Sequence, residues 1–64
     1  MDIQSKITNK LIKTIQVLEL AGISRPVAEK QAYIRAAESL QKQGMPVMES
    51  IHFVDNAMSE IKSI

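Results

Sequence analysis

The sequence predicts an all-α fold: a compact three-helix, up-down-up bundle, one domain over residues 1–64, completed by self-association. Three observations carry this. Apolar residues recur at three- and four-residue steps in three segments of similar length. Two helix-stop, helix-start signals, at Gly22–Ser24 and Gly44–Pro46, separate those segments. No stretch alternates apolar and polar residues with the period of two that a half-buried strand requires.

The first helix is expected over about 3–21. Asp2 suits the N-cap, because its carboxylate accepts from free backbone N–H groups and faces the positive helix start. Ile3, Ile7, Leu11, Ile15 and Leu18, with Ala21, fall on one stripe at about 100° per residue. Ile12, Val17 and Leu20 lie off it, as expected of a helix that touches more than one neighbour. Lys6, Lys10 and Lys13 line one flank, and the ordinary meaning of such a flank is a solvated face. Gly22 can then take the left-handed conformation that ends a helix.

The second helix is expected over about 25–43, with Ser24 as N-cap and Pro26 in the first turn, where a missing N–H does no harm. Val27, Tyr33, Ile34, Ala37 and Leu40 give a broad apolar side. Ala28, Ala32 and Ala36 form a second strip, whose methyl groups would let another helix approach closely. The third helix is expected over about 46–62, with Pro46 at N1. Val47, Ile51, Val54, Met58 and Ile61 follow a 4-3-4-3 spacing, a heptad seam suited to shallow-angle packing. The short connections make consecutive helices antiparallel neighbours.

Composition narrows the function mostly by exclusion. A chain of 64 residues buries only about 60% of its unfolded surface. Such domains lean on disulfides, a metal or another subunit. There is no cysteine and one histidine, His52, which leaves helix packing and a homodimer as the expected support. Met1-Asp2-Ile3-Gln4 lacks the basic and apolar regions of a secretory signal, and Glu19 interrupts the most apolar stretch. The chain is therefore expected to be cytoplasmic, with no membrane contact. Net charge is +1 but uneven: residues 1–35 carry six cations against three carboxylates, and residues 36–64 two against four.

Catalysis is not expected. Nucleophilic chemistry needs a nucleophile, a base and an orienting group, and His52 is the only conventional base. Both glycines sit at helix ends, so there is no phosphate cradle. A bundle this small is expected to have no room for a substrate pocket of a few hundred cubic ångströms. No cofactor and no small-molecule substrate are implied. Glu49 and His52 match the Glu-x-x-His step of di-iron bundles, but both lie beside the apolar seam, so no metal is expected.

The first junction supports two accounts. Leu18-Glu19-Leu20-Ala21-Gly22-Ile23-Ser24-Arg25-Pro26-Val27-Ala28 resembles the turn of helix-turn-helix DNA-binding proteins. In that family a glycine opens the turn, an apolar residue follows, and a polar residue caps the recognition helix; Gly22, Ile23 and Ser24 match. The resemblance implies a transcriptional regulator with Ser24, Arg25, Glu29 and Lys30 toward the major groove. The same residues also make a good C-cap followed by a good N-cap. Gln31 and the near-neutral charge favour that simpler account.

The leading expectation is thus a small non-enzymatic interaction protein that docks on a protein partner. Small regulators encoded by phages and plasmids are often built this way. On the third helix Phe53 is expected to project away from the seam near Glu49, Asn56 and Glu60, with Met48 off the seam on the other side. These five residues are the expected protein interface, and Phe53 its anchor, because aromatics dominate hot spots.

Overall fold

A computed structural model describes residues 3–62 and is a compact three-helix bundle. The helices are α1 (Ile3–Leu20), α2 (Arg25–Lys42) and α3 (Val47–Lys62). Every pair of helices packs together. An 18-residue helix is about 27 Å long, so the 33 Å long axis of the molecule is one helix plus its turns. Asp2, the expected first N-cap, lies outside the described residues.

Cross-helix contacts give the directions. Ile3 and Gln43 line one cleft, the Lys10 ammonium donates to the Ser39 hydroxyl, and Arg25 meets Glu19. α1 and α2 are therefore antiparallel along their whole length. Gln41 Nε2 donates to Ser50 Oγ across the α2–α3 turn, while Pro26 shares a hollow with Lys62 at the other end. α3 returns parallel to α1, with the Gln4 amide donating to the Phe53 carbonyl at 3.1 Å.

The two turns repeat one hydrogen-bond pattern. Ile23 N–H bonds Leu18 O at 3.0 Å and Gly22 N–H bonds Glu19 O at 3.0 Å. Met45 N–H bonds Leu40 O at 3.1 Å and Gly44 N–H bonds Gln41 O at 3.0 Å. Both are Schellman motifs, with glycine at φ +92° and +98°. Ile23 and Met45 then fold back, half-buried, onto the core, supplying the hydrophobic contact that accompanies this motif.

Each following helix starts from its own cap. Ser24 holds the N-cap position in extended backbone, and its carbonyl accepts from Ala28, but its hydroxyl makes no cap bond. Pro26, the second residue of α2, has no N–H to offer it. The Pro46 carbonyl accepts from Ser50 N–H, so Pro46 stands at the N-cap and Val47 begins the helix, one residue later than expected.

The core departs from the sequence pattern on all three helices: on α1 the two ends of the expected stripe, Ile3 and Ala21, are exposed. On α2 the strip Ala28, Ala32 and Ala36 faces inward with Ala37 and Leu40. Val27 and Ile34, expected inside, are about half exposed. Small methyl groups allow three axes to close together, so the alanines take the centre. On α3 the buried set is Ser50, Val54, Ala57, Met58 and Ile61. The seam is rotated toward Ser50 and Ala57, leaving Val47 exposed and Ile51 half-buried. Leu11 and Ile15 of α1 meet Val54 of α3 and the alanines of α2 at the dry centre of the bundle.

Candidate docking surface

The five expected interface residues do not form one patch. Phe53 is half-buried and packs against the core instead of projecting from the bundle. It sits about 80° around the helix from the middle of the buried stripe, near enough for its ring to reach inward. Glu49, Asn56 and Glu60 are exposed on the flank that Phe53 shares, the side turned toward α1. There the Thr8 hydroxyl lies 3.1 Å from Glu60 Oε2 and 3.0 Å from the Gln4 carbonyl, and its single proton serves one at a time. Met48 is 70% exposed but about 140° around the helix from Phe53, on the other flank.

Large apolar side chains remain uncovered elsewhere. Leu20 is 88% exposed and Val17 63%, both on α1. Val27 and Ile34 stand one heptad apart on the outward side of α2, opposite its alanine strip. Val47 and Met48 open α3, and Ile3 opens α1. The strays of α1 were legible as strays. Val27 and Ile34 were not, because a helix with apolar residues on two sides gives no rule for which side goes in.

The DNA-facing set is differently placed. Arg25 is clamped: its Nη1 donates to Glu19 Oε1 and its Nε to Glu29 Oε2, both at 3.1 Å. The hydrogen bond to Glu29 leads in raising the already high guanidinium pKa; partial desolvation works against it, and Glu19 adds to it. Ser24 and Lys30 are exposed, and Lys30 leans over a hollow shared with Tyr33, Met58 and Lys62. Helix-turn-helix units cross at about 90–120°; α1 and α2 instead lie side by side, as a helical hairpin.

Two further features have a chemical meaning. A cleft of about 340 Å³ runs between the start of α1 and the end of α2, lined by Ile3, Lys6, Ile7, Lys10, Ala36, Ser39, Leu40 and Gln43. A space of this size is larger than expected of so small a bundle; the small side chains of Ala36 and Ser39 make room for it. Across α2 and α3, the Tyr33 phenol has its pKa raised by burial, then by hydrogen bonding to and the charge of Asp55. Glu49 and His52 are both exposed, and no group of three or more metal-ligating side chains assembles among the described residues. Among those residues, too, no helix is long and apolar enough to cross a membrane. No protein-family model matches the chain, and neither a curated protein nor a solved structure matches it.

Proposed function

We propose that this chain is a small non-enzymatic regulatory protein of the cytoplasm that docks on a protein partner as a homodimer. One observation carries the reading: after the core closes, seven large apolar side chains among the described residues 3–62 remain 41–88% exposed. Exposed apolar residues that share a face mark association sites, and Val27 and Ile34 share the outward side of α2. The outward side of α2 suits a two-fold axis. Val27 and Ile34 supply apolar contact, and Lys30 and Glu38 beside them let a cation of one copy meet a carboxylate of the other.

The half-burial of Phe53 changes the test. A Phe53→Asp change places a charge against the core, so loss of binding would be confounded with loss of fold. Ile34→Asp is the cleaner variant. Light scattering should give wild type twice the 7.1 kDa of one chain, and Ile34→Asp one chain's mass with its helical circular dichroism intact. A wild type that stays monomeric at every concentration would sink the homodimer. A salt-sensitive DNA mobility shift, abolished by Lys30→Glu, would replace protein docking with the DNA-binding alternative.

A further inference from the structure

Ile3, Lys6, Lys10, Lys13, Val17 and Leu20 follow a 3-4-3-4-3 spacing along α1. This is the spacing of a helix-packing seam, yet it lies about 120° around the helix from the buried stripe of Ile7, Leu11, Ile15 and Leu18. All six residues are exposed. The seam is apolar at both ends and cationic in the middle. None of its three ammonium groups makes an ion pair among the described residues; Lys10 meets only the neutral Ser39 hydroxyl, at 3.2 Å. Beside the seam runs the α1–α2 cleft, whose floor is the apolar Ile7, Ala36 and Leu40.

We propose that this flank of α1 takes a fourth helix, supplied by the protein partner. That helix carries carboxylates opposite Lys6, Lys10 and Lys13, and apolar side chains opposite Ile3, Val17 and Leu20. The charge pattern selects the occupant. Three uncompensated cations in a row want acidic residues, and the apolar ends want a hydrophobic surface, which a phosphate backbone does not offer. A membrane is a poor match because the apolar residues flank the lysines instead of forming one insertable face. A second copy of this chain is a poor match on charge. Its acidic α3 flank sets Glu49 and Glu60 eleven residues apart with the neutral Asn56 between them, whereas Lys6, Lys10 and Lys13 lie within eight residues.

The inference rests on the docking reading and names the chemistry of its partner. The probe is a labelled synthetic helix of roughly 20 residues, with glutamates at the central seam positions and leucines at both ends. Its counterpart has lysines for glutamates. Fluorescence anisotropy with the full chain should show binding of the glutamate peptide, weakened by salt and weakened about tenfold or more by the combined Lys6→Glu, Lys10→Glu and Lys13→Glu changes. Leu20→Ser should weaken it several-fold with its salt dependence unchanged. These positions are exposed, so circular dichroism should be the same for all variants. Equal binding of the two peptides, or no effect of the lysine reversals, overturns the proposal. So does binding of anionic phosphatidylglycerol vesicles or duplex DNA without the glutamate peptide. Concentration-dependent self-association that the lysine reversals abolish would assign the flank to a second copy instead. If the peptide fails while dimerisation still depends on Ile34, the flank assignment falls and the docking reading survives.

Discussion

Among the described residues Ser50 is the one buried polar residue, and it is satisfied twice: its hydroxyl donates to the Val47 carbonyl at 2.7 Å and accepts from Gln41 at 3.1 Å. Gln41 is exposed and can turn back to water. Ser50→Ala should therefore cost no more than about 1 kcal/mol in urea unfolding. Leu11 has no such escape. It is 1% exposed at the junction of the helices, and Leu11→Ala should cost about 2–5 kcal/mol. A core this small supplies about 3–5 kcal/mol in total, so that variant should be largely unfolded by circular dichroism. Tyr33 offers a spectroscopic check, being the only tyrosine in a chain without tryptophan. Its pKa is raised, so the stability it contributes is fully present below the ordinary tyrosine pKa and is lost as pH rises through the folded value. Ultraviolet titration of the folded protein should show late ionisation, and Asp55→Asn should move it part of the way back, because burial remains.

At the scale of the element, both helix stops depend on backbone geometry that side chains oppose. Gly22 stands at φ +92° with nothing within 4 Å of an added Cβ. Gly22→Ala should thus meet only conformational cost, about 1 kcal/mol of thermal stability, and an asparagine there should lose less. α2 depends on smallness. Ala28 and Ala32 are 0% and 1% exposed, so Ala32→Leu should push α2 off its neighbours and cost about 1–3 kcal/mol or more in denaturant melts. Helix positions and stops were legible because capping and periodicity are local. Which face of α2 is buried was not. Val27 and Ile34 are more apolar than Ala28 and Ala32, and only the distance between the axes decides for the alanines. The rotation of α3 has the same cause: Ser50 and Ala57 fit where a branched side chain would hold the helices apart.

For the whole molecule, the charge split along the chain becomes a split between faces. The α1 flank beside α2 carries the lysine seam, while α3 carries Glu49 and Glu60 on its flank toward α1 and Asp55 on its flank toward α2. Leu20 separates stability from association at this scale. It is 88% exposed in the bundle, so Leu20→Ser should leave the unfolding free energy of the free protein within about 0.5 kcal/mol of wild type, even where partner binding falls. The expected interface was only partly legible for a related reason. Met48 and Phe53 both stray from the heptad pattern, but whether a stray side chain projects or tucks inward depends on the neighbouring helix. Here α1 lies on the Phe53 side, where the Gln4 amide holds the backbone.

The sequence by itself determined that this chain makes three helices, where each one stops, and that neighbours in the chain run antiparallel. Those outcomes rest on hydrogen bonds and capping within a few residues of each other, and on connections too short to permit anything else. Only the tertiary structure decided that the alanine strip of α2 is core and that Lys6 and Lys10 of α1 border a cleft. Those outcomes depend on how closely helices approach and which flank each presents. That is a property of side-chain volumes summed over three helices, and no single segment contains it.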